Sequence, residues 1–387
     1  MVAKTVYAIL LIFVVLVVIV PLLLNALGIP VGPGGGGSAT GTARNGILLR
    51  SPDGGQNWQS AEFNRDNKPA LPSEILDIAF HPLDANVLFA GTRGSGLWKS
   101  EDAGAVWKKI NDANHILQAG ADVYKIAISR VKPAVMYLAV MQDRRGRVLR
   151  SEDAGASFRE IYAVTQDGLG VFDLYTSPTL PDDIMIATGE GRLMASQDAG
   201  IQWRIVRSET APLAALAVNP AFFAERYVIN SLGGMAKTFD AGATWTELGN
   251  PVDSASASAP TGQITHPYAN WRLTFSSTAP SFTFAIDPQN PATLYFTRND
   301  ALLTSFNGGF SWRRLTTLIT GQGMALGGVA ASPDREGTIF VTAGTDFYQS
   351  VDSGASWSVK TISAGSSLKK IFAHPRKPEI IFVTTSR

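Results

Sequence analysis

The sequence predicts an all-β fold, a propeller of seven four-stranded antiparallel blades. Three observations predict it: one turn signature returns seven times, four strand-like runs fill each interval, and each end of the body carries half a blade. The signature, roughly Ser/Thr-x-Asp-x-Gly-x-x-Trp, begins at Ser51, Ser100, Ser151, Ser196, Thr238, Ser305 and Ser350. Repeats of this length cannot each bury their own apolar face, so they must stack on one another.

The second copy shows the unit most clearly. Ile75–His81 reads as a first strand, Val87–Gly91 as a second, Gly96–Ser100 as a third and Val106–Ile110 as a fourth. First strands recur at Val123–Ser129, Val171–Thr176, Leu213–Asn219, Phe282–Asp287, Met324–Ala331 and Leu368–His374. A proline after several of them (Pro82, Pro220, Pro288 and Pro375) ends the strand by removing a ladder donor. The chain closes on two strands, Leu368–His374 and Ile380–Thr384. The body opens on two more, Gly46–Arg50 and the run opened by Trp58. Together they predict one shared blade with the amino-terminal pair outside, which removes two open edges.

The turn follows from ordinary side-chain chemistry. Asp accepts backbone N–H groups, Gly permits an unusual backbone angle, and the Ser or Thr hydroxyl adds a local bond. Asp53, Asp102, Asp153, Asp198, Asp240, Asn307 and Asp352 therefore read as structural pins between third and fourth strands. The Trp or Phe plugs the blade edge.

Ahead of the body, residues 1–27 read as a transmembrane signal-anchor. Val6 to Leu27 carries no charge, and its 22 residues would span about 33 Å as a helix. A cleaved secretory signal is the competing reading, but the run is long for one and no clear cleavage site follows. Lys4 favours a cytoplasmic start and an extracytoplasmic body. Residues 28–44, with the run Gly34–Gly37, read as a flexible linker, and 45–387 as the propeller, with an insertion at 249–281.

Composition narrows the chemistry. Net charge is +1, which gives no field to gather nucleic acid, and the absence of cysteine removes disulfides and thiolate sites. The histidines His81, His115, His266 and His374 are scattered, no phosphate-loop pattern appears, and neither cofactor nor metal is expected.

The signature resembles the Asp-box, or BNR repeat, of sialidases, xyloglucan-type glycoside hydrolases, sortilin-type receptors and photosystem assembly factor propellers. In those families the repeats are structural, so the resemblance implies the fold and assigns no catalysis to the seven pins. The single-propeller layout is most similar to that of the assembly factors.

On propellers, ligands sit over the loops joining second to third strands and one blade to the next. Here those loops carry Arg93, the cluster Asp143-Arg144-Arg145-Gly146-Arg147, Glu190 with Arg192, Arg298 with Asp300, and Asp346. Converging arginines suit carboxylates or phosphates, although a solvated face of internal ion pairs is the simpler reading. The insertion adds His266, Tyr268, Trp271 and Arg272, which can stack a sugar, grip a peptide or pack as an extra hairpin. A glycosidase would need paired carboxylates, for which Asp122, Asp143 and Glu190 are candidates. A sialidase would need a tyrosine beside a carboxylate, from Tyr124, Tyr137, Tyr175 or Tyr268, and its early arginine motif is missing. The expectation is a membrane-anchored extracytoplasmic scaffold with a protein partner in the cell envelope. The alternative is a glycoside hydrolase or glycan-binding protein.

Overall fold

The computed structural model describes residues 48–61, 71, 74–251, 282–298, 301–318 and 325–386. The expected anchor (1–27), the linker (28–44), Tyr268, Trp271 and nearly all of insertion 249–281 lie outside the described residues. Among the described residues no helix is long and apolar enough to cross a membrane.

Twenty-eight strands form seven four-stranded antiparallel sheets. Blade 1 comprises Ile75–Phe80, Leu88–Thr92, Leu97–Ser100 and Lys108–Lys109, in that order from the axis outward. Blades 2 to 6 repeat the plan from first strands at Asp122–Ile128, Val171–Thr176, Leu213–Val218, Phe282–Ile286 and Leu326–Ala331. Blade 7 has the order Leu368–Ala373, Ile381–Thr385, Leu48–Ser51, Gln59–Ser60. Its outer half is amino-terminal, as the sequence predicts.

Burial follows position in the blade. Every residue of the second strands Met136–Gln142, Ile184–Thr188, Ile339–Ala343 and Ile381–Thr385 is buried, because neighbouring blades cover both faces. Fourth strands such as Ser358–Thr361 are exposed throughout. The apolar residues fall into seven clusters, and each lies between two adjacent blades. Leu48 and Phe382 of blade 7, for example, pack on Ile75, Leu88 and Trp107 of blade 1.

The turns after most first strands are capped by that strand's next residue. The Nδ1 atoms of His81 and His374 each accept two backbone N–H groups, from Leu83 and Asp84 and from Arg376 and Lys377. Asn219 and Asp287 do the same through Oδ1. His374 also joins the ring ends: its Nε2–H donates to the Ala85 carbonyl at 2.9 Å, and its ring lies 4.6 Å from that of Phe80.

Candidate binding face

The seven turns share one geometry. The first-position hydroxyl accepts the fifth-position N–H at 2.8–2.9 Å and donates to the third-position oxygen at 2.7–2.9 Å. That oxygen, from Asp53, Asp102, Asp153, Asp198, Asp240, Asn307 or Asp352, accepts the seventh-position N–H at 2.8–2.9 Å. The fourth residue has φ between 57° and 72°, and its N–H donates to the loop between the first two strands of the same blade. Every oxygen at the third position thus serves the turn. Hydrogen bonds from the Ser157 hydroxyl and N–H hold the Asp153 carboxyl below the usual range, and the Ser356 pair holds Asp352 at about 2.

These turns and the loops between first and second strands share one face. The opposite face carries the loops from second to third strands and from blade to blade, where the sequence places its arginines. Most of these are held by neighbours. Arg93 bonds Glu74 at 2.8 Å and lies 3.8 Å from Asp122. Arg145 pairs with Asp167 at 2.7 Å, Arg192 with Glu190 at 3.1 Å, and Arg147 with both Glu160 and Asp143. Arg145, Arg147 and Arg192 lie on third strands rather than in the loops, and Arg298 ends a second strand as an exposed residue. The candidate carboxylates are engaged too. Asp122 accepts the Gly94 N–H, Asp143 accepts the Gln118 amide, and Glu190 accepts the Thr165 N–H.

Arg144 differs. With Asp143 it forms the tip of a hairpin in which both residues have positive φ, 51° and 61°. Its guanidinium is exposed and has no partner among the described residues. Gln118 links this tip to a groove of about 470 Å³ lined by Leu97, Lys109, Asn111, His115 and Gln118. The buried Asp112 carboxylate shapes the groove's loop by accepting the N–H groups of Asn114, Ile116, Leu117 and Phe158.

Two sets of charges escape sequence reasoning. At register-equivalent positions of successive first strands, Lys125 stands 3.7 Å from both Asp77 and Asp173, and these carboxylates hold its ammonium protonated. Asp77 and Asp173 also accept the Ile126 and Leu216 N–H groups of the following blade. Between blades, Arg50 donates to the Ala103 carbonyl, Arg150 to Asp182, and Lys237 to the Gly308 carbonyl. Aligning the seven repeats by position would have shown the alternation of Asp77, Lys125 and Asp173. It would not have shown which blade each charge reaches. Among the described residues no cluster of three or more His, Asp and Glu side chains is placed to hold a metal ion.

No family model matches the chain. Among curated proteins it is similar to xyloglucanase Xgh74A of Acetivibrio thermocellus, 27% identical over 135 residues, which is 30% of this chain and 16% of that protein. It is also similar to sortilin of Danio rerio, 27% identical over 190 residues, 47% of this chain and 21% of that one. The chain thus matches less than a quarter of either relative's length. Among solved structures, the xyloglucanase of Xanthomonas campestris superposes with a TM-score of 0.60 at 17% identity, over 80% of this chain and 50% of that one. YCF48 bound to D1 peptide superposes with a TM-score of 0.58 at 13% identity, over 82% and 95%. At these identities the likeness is one of fold, and it sets a xyloglucanase and YCF48 alike among the neighbours.

Proposed function

We propose that this chain is a membrane-tethered, extracytoplasmic propeller that binds a protein partner, as a docking or assembly scaffold. The observation that carries the reading is Arg144, an exposed cation at a constrained turn beside a groove, on a face whose other described arginines are mostly held by internal carboxylates. An unpaired guanidinium on a constrained turn suits a carboxylate on a peptide or loop, because no internal ion pair has to break on binding. One comparison supports it: YCF48 superposes on this chain over 95% of its own length, and it was solved with a peptide bound. The tether rests on the apolar run Val6 to Leu27.

The test is cross-linking and affinity capture of the full chain from its native membranes, followed by mass spectrometry. One or two stoichiometric proteins are expected. Arg144→Ala should weaken their capture by tenfold or more, in line with loss of a charge-assisted bond of about 1.5–3 kcal/mol, without lowering the melting temperature. Capture unchanged by that substitution removes the docking role of Arg144. A chain recovered alone that hydrolyses xyloglucan or sialyl glycosides replaces the scaffold with the glycosidase reading.

A further inference from the structure

The turn geometry uses the first, third, fifth and seventh positions for its hydrogen bonds and the eighth for its aromatic plug. The second and sixth positions are left to solvent. Elsewhere they hold residues such as Glu101, Gln56, Ala105 and Glu152 or single aliphatic residues (Ile201, Val351), and blades 4 and 5 alone place phenylalanines there, at Phe239, Phe306 and Phe310. These rings are 48%, 45% and 57% exposed, and Phe222 of the adjoining blade 4 loop is 53% exposed. All four lie on the same face of two adjacent blades, and two of them flank Lys237, whose Nζ lies 4.4 Å from the Phe239 centroid and 5.5 Å from that of Phe310. Glu225, three residues after Phe222, pairs with Lys237 at 2.7 Å, so the cation beneath the rings is already neutralised. Nothing in the turn's own chemistry calls for phenylalanine at these positions.

We propose that this patch is a contact between two copies of the chain, related by a two-fold axis across blades 4 and 5. Four rings at about half exposure present on the order of 400 Å² of apolar surface. That area suits the apolar core of an interface burying about 800 Å² per partner. The charges at its flanks are self-complementary. Blade 4 presents the exposed Asp240, held ionised by hydrogen bonds from the Thr244 hydroxyl and N–H. Blade 5 presents the exposed Arg313, stacked 4.5 Å from the Phe306 ring. A two-fold axis between them brings Asp240 of each copy towards Arg313 of the other, as a self-complementary interface requires. The ionised turn carboxylates on the same face disfavour an anionic membrane surface as the occupant.

Sedimentation of the full chain in detergent, up to about 100 µM, tests the proposal. A reversible dimer is expected, and Phe239→Ser with Phe310→Ser should raise its dissociation constant at least tenfold. Because the sequence contains no cysteine, Phe310→Cys introduces a single thiol beside the axis. Mild oxidation of that variant should give a covalent dimer, whereas Leu83→Cys, on the same face in blade 1, should not. The Cys variants keep the test readable if the double serine variant folds poorly. A monomer across this range, self-association untouched by the serine changes, or equal cross-linking from both Cys variants would overturn the proposal. A monomer that loses phosphatidylcholine vesicle binding or another protein upon the serine changes hands the patch to that occupant and overturns it equally.

Discussion

At the scale of single residues, the turn glycine answers two demands at once. Gly200 has φ +85°, and a Cβ there would stand 2.6 Å from Cδ1 of Ile161. Gly168 has a similar φ of +83° with nothing within 4 Å of the same position. Gly168→Ala should therefore cost about 1 kcal/mol for backbone strain alone, and Gly200→Ala about 3 kcal/mol. Equal losses in urea denaturation would show that contact with the fourth strand of blade 2 contributes nothing. The turn carboxylates supply a pH test. The folded Asp352 pKa, at about 2, lies below the unfolded value of about 3.9. Its contribution is present above pH 4 and lost as pH falls towards 2. Asp352→Asn keeps the acceptor oxygen, as Asn307 does naturally, and should flatten that part of a plot of urea midpoint against pH. Superimposable curves would rule out a role for this carboxylate's charge.

At the scale of elements, the strand boundaries follow local chemistry closely. The first strand Val171–Thr176 matches its expectation residue for residue, and most others fall within one or two positions. Prolines and polar caps stop these strands locally, so the sequence suffices. Burial lowers the pKa of His374, and its network requires the neutral ring, with Nδ1 accepting and Nε2–H donating. A depressed folded pKa gives stability that is present above about pH 6.5 and lost as pH falls through the folded value. His374→Asn, which can cap the same turn as Asn219 does, should remove part of the fall in thermal midpoint between pH 7 and 5. A parent and variant that decline in parallel would deny His374 that role. The arginine rim shows the limit of local reading. Arg144, Arg145 and Arg147 look alike in sequence, but strand register sends Arg145 and Arg147 to carboxylates on neighbouring segments and leaves Arg144 at the tip.

At the scale of the whole molecule, every apolar cluster joins two blades, so no blade has a core of its own. Phe382 of blade 7 is fully buried against blade 1. Phe382→Ala should cost about 3–5 kcal/mol and lower a single cooperative transition. Two resolved transitions by fluorescence and circular dichroism would mean that groups of blades unfold independently. The two faces then divide the work: one carries the paired charges, Arg144 and the groove, and the other carries the pinned turns and the phenylalanine patch.

The sequence by itself determined the number of blades, the order of strands within each and the shared seventh blade, because turn and strand chemistry is local and recurs seven times. It also determined which residues pin the turns. Only the tertiary structure decided which arginines are paired, how Lys125 comes to stand between Asp77 and Asp173, and that four exposed phenylalanines from three loops come to one face of blades 4 and 5. Those outcomes depend on distances between blades, and a repeat length carries no record of them.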